Sequence, residues 1–444
     1  MASLGLSTFA PIFADNENYQ GQNLENGHFH GRSLENANFK NCNLQNADFS
    51  NTYLKNAVFE NADIRGASFF LCSYDKPHAN FYHPDNFRAE QIYSTASYRQ
   101  KDLTGVDFSD NILSGWNFSG QNLTDASFGY ASLGAISSSD FESAGIYYPG
   151  LQKVDFTDAI VNGANFDSVT RVIFGFTSDQ LYSTASYKNK NLSRIRLSDN
   201  NLGGWNFSGQ NLQNASFYGS DISGANFAKA DLRGAKMTAI SGAPVYKNTI
   251  MSDGIISNFS MTSAGDSFSI RRYEPDGEGG AMISAKLDTS STISGGAVLT
   301  IESGAEFEVV SGAVLSVGAG SGISINASLG DAAVFNVEDG AGLTFLDGSF
   351  LEVNVLGDFN GAMRFDVIDF ADVARISGIE NLKKGETFIL KLNGETFGGE
   401  WDFILGDGAL TVVLGAVPEP AACAAVFAVL ALGCAALRRR ASAA

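Results

Sequence analysis

The stretch NANFKNCNLQNADFSNTYLKNAVFENADIRGASF, residues 36–69, places Phe39, Leu44, Phe49, Leu54, Phe59, Ile64 and Phe69 five apart, with phenylalanine alternating with an aliphatic residue. Five steps of 100° scatter positions around a helix, and five steps along a strand change face every time, so neither regular element explains the cadence. A chain that turns a corner every five residues does. Each coil must then stack on the one below to bury its side chains and pair its backbone, and the pattern predicts a solenoid.

The same cadence runs outward in both directions. Central apolar positions begin at Leu24, Phe29 and Leu34 and resume at Leu103, Phe108, Leu113, Phe118, Leu123, Phe128 and Leu133. A weaker set, Leu151, Phe156, Val161 and Phe166, precedes a last one from Leu192 and Leu197 through Phe207, Phe217 and Phe227 to Met237. Two residues before many centres stands alanine, as at Ala37, Ala47, Ala57, Ala62, Ala67, Ala126, Ala215, Ala225, Ala230 and Ala235, and Asn or Asp often follows it.

With Ala47-Asp48-Phe49, Ala62-Asp63-Ile64 and Ala230-Asp231-Leu232 as its closest matches, this half of the chain resembles the pentapeptide-repeat family, whose motif is A-(D/N)-L-x-x. The resemblance implies an all-β fold over residues 21–240: a right-handed quadrilateral β-helix with four pentapeptides per coil. Phenylalanine would then form ladders on two opposite walls and aliphatic residues on the other two. About 30 repeats make roughly 7 or 8 coils, near 35 Å long at about 4.8 Å each.

The repeat is interrupted near 71–102 and 134–191. QIYSTASYRQKDL at 91–103 returns as QLYSTASYKNKNL at 180–192, and SGWNFSGQNL at 114–123 returns as GGWNFSGQNL at 203–212. The offset is 89 in both cases, which is not a multiple of five, so chain outside the coil register is expected. Thr177 and Gln180 have capping-box spacing and predict a short helix leaning on the coil; Arg88 stands at the corresponding place in the first copy. Trp116 and Trp205 each fall where the coil wants a small residue. They are expected to fill gaps beside these helices, the other reading being an outward sugar-stacking platform.

The 444 residues carry 29 basic and 48 acidic side chains. Residues 21–237 hold 21 acids and 17 bases, whereas residues 250–420 hold 25 and 8, so the acidity belongs to the second half. Such a surface repels nucleic acid and favours solubility. Over 241–416 the texture changes to Gly-punctuated runs, with Leu299, Phe307, Leu315 and Ile323 eight apart, and a second, acidic β-solenoid-like domain is expected there. Longer runs after Gly357 read as closing strands.

Pro418, Glu419 and Pro420 precede 17 apolar residues, 421–437, and then Arg438, Arg439 and Arg440. The span fits a short transmembrane helix with the arginines held cytoplasmic. The order also resembles the PEP C-terminal sorting signal of Gram-negative bacteria that make exopolysaccharide. That resemblance implies that residues 417–444 are recognised by an exosortase-type membrane protease and cleaved near the motif. Pro418, Glu419 and Pro420 would be the recognition residues, and Arg438 to Arg440 the retention signal. Residues 1–20 contain no Lys or Arg and are expected to be the remnant of a signal peptide or a disordered leader.

No nucleophile elbow, phosphate loop or zinc spacing is present, so no catalytic, cofactor-binding or metal-binding residue is assigned. His28 and His30 flank Phe29 and should both point outward. Asp366, Asp369 and Asp372 stand three apart, a spacing that alternates faces on a regular strand. Cys42, in an alanine slot, and Cys72 are expected to be buried thiols rather than a disulfide.

These readings together predict a non-enzymatic protein, anchored in the membrane by its tail and, after processing, placed at the cell surface or outside the cell. Its expected partners are the protease, the membrane and extracellular polysaccharide, and not nucleic acid. The alternatives are a DNA mimic that binds a type II topoisomerase, a role the pentapeptide resemblance implies, and a surface polysaccharide-active enzyme.

Overall fold

The computed structural model describes residues 16–73, 86–135, 152–170, 175–276, 280–328, 331–332, 334–357, 363–372, 375–406 and 408–414. Two compact units divide the chain: Met1–Asn258 with Glu274–Ala281, and Phe259–Tyr273 with Met282–Ala444.

The first unit is a four-sided column. Parallel bridges join Asn18 to Asn38, Asn23 to Asn43, His28 to Asp48 and Ser33 to Tyr53, so one coil takes four pentapeptides, one for each wall. The chain turns at each corner because the second residue after each centre adopts positive φ. Asn36, Asn41, Asn46, Asn51, Asn56 and Asn61 all lie between 55° and 60°. Asparagine tolerates this left-handed conformation better than other residues with a Cβ, which accounts for its abundance in this half.

The motif's Asn or Asp has an equally local reason. Its side-chain oxygen accepts the N–H of the residue two positions on, as from Asp48 to Ser50 at 2.9 Å, Asn122 to Thr124 at 3.2 Å and Asn165 to Asp167 at 2.9 Å. That N–H points along the corner, where no coil lies to receive it, and the side chain satisfies it. Alanine fits two before the centre because it points inward beside a large neighbour. Ala37, Ala47, Ala62 and Ala67 are fully buried.

The central residues fill the axis. Phe29, Phe49 and Phe69 stack face to face on one wall, with centroids 4.7 and 5.3 Å apart, and Phe39 and Phe59 stack on the opposite wall at 5.2 Å. Across the axis the rings meet edge-on, as Phe29 does Phe39 at 82°. Each buried Leu or Phe contributes roughly 1.5–3 kcal/mol, making this core the main stabilising term. One wall runs through His28, Asp48, Ser68, Asp107, Ser127, Asn165, Arg196, Ser216 and Lys236, nine levels where the sequence suggested seven or eight. The surplus arises because the interruptions are built into coils rather than placed between them.

The steps on this wall are unequal. Asp107 to Ser127 is one regular coil, whereas Ser127 to Asn165 and Asn165 to Arg196 are longer, and the three together carry the chain through the offset between the two sequence copies. The step from Ser68 to Asp107 is also long and contains helices α1 (Ala89–Tyr93) and α2 (Ala96–Arg99). The step to Arg196 contains α3 (Ser178–Ser183) and α4 (Ala185–Lys188). Each stretch forms two short helices rather than one, turning at Thr95 and Thr184, whose hydroxyls accept the Tyr98 and Tyr187 N–H groups. Thr177 and Gln180 close the expected capping box on α3. On α1 only the return half forms: Gln91 accepts the Arg88 N–H at 2.7 Å, since a guanidinium has no acceptor to offer.

Each helix pair takes the place of a wall. The Ala96 N–H donates to the Ala62 carbonyl below, and the Ser97 hydroxyl accepts the Ile64 N–H. Above, the Asn117 N–H donates to the Tyr93 hydroxyl at 2.6 Å, and the Tyr98 hydroxyl donates to the Asn117 carbonyl at 2.8 Å. Tyr182 and Tyr187 do the same for Asn206. Two phenols thus supply the acceptor and donor that a peptide of the missing wall would give. Where the chain leaves the column, Asn111 donates to the Phe69 carbonyl and accepts the Ser73 N–H, and Asn200 repeats this with Phe166 and Thr170.

Cys42 and Cys72 are buried free thiols, each donating to a carbonyl of the coil below, those of Tyr19 and Phe49. Burial pushes the Cys42 thiol above its ordinary range.

The second unit stacks three parallel sheets. The first contains Ser267–Ile270, Val298–Ile301, Gly322–Ser328, Phe350–Leu356 and Phe388–Leu392. The second contains Ala285–Leu287, Glu306–Val309, Val334–Val337 and Met363–Phe370, and the third Ser291–Ile293, Val314–Val317, Gly342–Phe345 and Ile376–Ser377. Leu299, Phe307, Leu315 and Ile323 lie on successive sides, all fully buried, and Leu299 pairs with Ile323, which closes one coil. The eight-residue cadence is therefore a three-sided coil with one period per side, and Gly296, Gly304, Gly312 and Gly320 turn its corners at positive φ. At one edge Ala409–Leu414 pairs antiparallel with both Met363–Phe370 and Trp401–Leu405.

Among the described residues no helix is long and apolar enough to cross a membrane. The expected span 421–437, the sorting residues Pro418, Glu419, Pro420 and Arg438 to Arg440, and residues 1–15 of the leader lie outside them.

Candidate binding wall on the repeat column

On the wall from Ser68 to Lys236 the outward positions are filled differently at each level. Asp107, Ser127, Asn165, Arg196, Ser216 and Lys236 form one row. The neighbouring row has small residues at Ser109, Gly129 and Ser198. Large side chains rise around them, Phe70 and Tyr130 among the earlier coils and Tyr218 among the later ones. The result is a groove of about 650 Å³ within the first unit.

Its floor is tied together. The Ser109 and Ser127 hydroxyls lie 2.7 Å apart, and Asn165 donates to Ser127 at 3.0 Å. Arg196 pairs with the nearly buried Asp167, whose other oxygen accepts the Ser198 N–H at 2.8 Å. Partial burial, and secondarily the charge of Asp107, push the Asp110 carboxyl above its ordinary range. A carboxylate held in a concave site against its own solvation makes the groove a candidate functional site.

Tyr130 is 57% exposed and Tyr218 51%, the two most exposed aromatic side chains among the described residues of the column. Sequence reading passed over both. The signal was present at position 130, a corner slot with φ of 58° where Asn, Asp or Gly usually stands. A bulky aromatic there accepts backbone strain in order to face solvent.

The residues weighed from sequence fall elsewhere. His28 and His30 are exposed and outward, His30 within 3.0 Å of the Ser50 hydroxyl. Trp116 is buried against Phe87 and Phe108, and Trp205 against Phe176 and Tyr182, so both pack beneath the helices rather than forming platforms. Asp366 and Asp369 depart from strict alternation. The register shifts between Asp366 and Ile368, Val367 and Ile368 are both buried, and the two aspartates share the exposed face. Asp369 is pushed up by shielding and then by Asp366, while Asp366 accepts the Thr411 hydroxyl at 2.6 Å. Among the described residues no group of three His, Cys, Asp or Glu is placed to hold a metal ion.

A four-sided parallel β-solenoid with one grooved wall defines a scaffold class. Within that class, the model of the family described as pentapeptide repeats matches residues 33–69, 102–134, 191–227 and 201–238, in 8 copies, and the chain carries pentapeptide repeats. No curated protein matches it. Among solved structures, HetL, a pentapeptide repeat protein involved in heterocyst differentiation regulation from the cyanobacterium Nostoc sp. strain PCC 7120, is 20% identical. That match covers 54% of this chain and 94% of HetL, at a TM-score of 0.20. Two trypsin-treated forms of QnrB1, a plasmid-mediated fluoroquinolone resistance protein, are 18% and 15% identical. They cover 51% and 52% of this chain and 88% and 91% of their own, at TM-scores of 0.14 and 0.16. Likeness that weak bears on neither the fold nor the function of this chain.

Proposed function

We propose that this protein is a non-enzymatic scaffold of the cell envelope, exported, held in the membrane by its tail and cut by an exosortase-type protease near Pro418-Glu419-Pro420. The observation that carries the reading is the order of the tail: Pro-Glu-Pro, then 17 apolar residues, then three arginines. Such a span partitions into a bilayer, and the arginines resist translocation. The column suits the role, since a core continuous over nine levels presents its walls at fixed spacing without further support. Arg196 and Lys236 stand among the carboxylates of the grooved wall, which favours this reading over mimicry of DNA.

Cell fractionation with mass spectrometry of the mature carboxyl terminus tests it. The expected product lies in the surface or extracellular fraction and lacks Arg438 to Arg440. Glu419→Ala should leave the uncut form in the membrane. Full-length protein in the cytosol would overturn the proposal.

A further inference from the structure

Exposed tyrosine on a polar wall calls for an explanation, because each ring leaves apolar area in water that a Ser or Asn in the same slot would not. Tyr130 belongs to the level of Ser127 and Tyr218 to that of Ser216, three bridged steps later through Asn165 and Arg196. At about 4.8 Å per step the levels lie roughly 14 Å apart along the column. Between them the floor is low, and it offers hydroxyls, an amide, carboxylates and a guanidinium in alternation. Neighbouring sugar hydroxyls both donate and accept, and such a floor answers both demands. The pyranose face, lined with C–H groups, is what an exposed ring stacks against.

Charge narrows the ligand. Four carboxylates, Asp107, Asp110, Asp167 and Asp199, face two cations, and Arg196 is already paired with Asp167. An anionic polymer meets net repulsion there; a neutral one does not.

We propose that this wall binds a segment of neutral polysaccharide running along the column axis, with Tyr130 and Tyr218 as stacking platforms and Asn165, Arg196 and Asp199 among the hydrogen-bonding groups between them. The proposal deepens the scaffold reading and rests on it only for where the polymer is met. The regular rise of the coils makes the wall suited to a polymer rather than to a single sugar.

Affinity electrophoresis of the full chain through gels containing dextran, a soluble β-glucan or mannan, with alginate and chitosan as charged controls, tests it. Retardation by at least one neutral polymer is expected, unchanged in high salt and weakened about tenfold or more in Tyr130→Asn/Tyr218→Ser. Asparagine is chosen at 130 because it fits the corner, so that the variant keeps its melting temperature. Tyr130→Phe/Tyr218→Phe should retain most of the retardation, since the ring is kept. Lack of retardation by every neutral polymer would overturn the proposal, as would retardation by the charged controls alone or an undiminished effect in the Asn/Ser variant. Cytosolic localisation with intact glucan binding would instead remove the envelope reading and leave this one standing.

Discussion

At the scale of single residues, the column is governed by two recurring positions. Where Asn or Asp stands before a centre, it accepts an N–H that would otherwise lack a partner. Asn122→Ala removes the acceptor used by the Thr124 N–H and hydroxyl, and is expected to cost about 1 kcal/mol in urea unfolding. Asp110 behaves in the opposite sense. Its carboxyl is raised in the folded state, so folding favours its protonated form, and a penalty develops as pH climbs from the ordinary carboxylate value through the raised one. Asp110→Asn is therefore expected to raise the melting temperature at pH 7, the gain shrinking as pH falls through the raised value and vanishing below about 4. A gain that is independent of pH would show that backbone preference at φ of 57°, and not charge, decides the effect.

At the scale of elements, the helix pairs show how a coil survives interruption. Tyr93 with Tyr98, and Tyr182 with Tyr187, hand hydrogen bonds to Asn117 and Asn206, while Trp116 and Trp205 fill the space between helix and axis. Trp116→Ala and Trp205→Ala should each cost about 3–5 kcal/mol and leave polysaccharide retardation unchanged in whatever fraction remains folded. Retardation lost without loss of stability would mark the indoles as the binding platform instead. Thr177 and Gln180 announced their helix in the sequence, and the displaced register announced that chain leaves the column. The two-helix form was not legible, because the break at Thr184 depends on its hydroxyl capping α4, which the apolar pattern does not record. Nor was the bulge that puts Asp366 and Asp369 on one face, since Val367 and Ile368 read equally well on a regular strand.

At the scale of the whole molecule, the five-residue cadence was sufficient to read a solenoid and the family resemblance its four sides, while the eight-residue cadence pointed to a second solenoid but not to its three sides; in each the apolar period equals the length of one wall. The grooved wall was hidden for a related reason. Tyr130 and Tyr218 are far apart in the chain, and only the long steps from Ser127 to Asn165 and from Asn165 to Arg196 bring their levels close. Which levels come together is set by the insertions rather than by the repeat itself, and hydrogen bonds at Asn200, Tyr182 and Tyr187 hold the one that ends at Arg196 in place.

Residue-resolved hydrogen exchange on the full chain tests the column most directly. The amides of Lys40, Gln45, Ser50, Arg65 and Thr104 donate only to the side chain two residues earlier, whereas those of Phe39 and Asn41 donate to carbonyls of the next coil and that of Cys42 to the Phe39 carbonyl within its own turn. The account predicts fast exchange recurring every fifth residue through 36–69, between strongly protected neighbours. Protection with a helical period, or none across that segment, would contradict it.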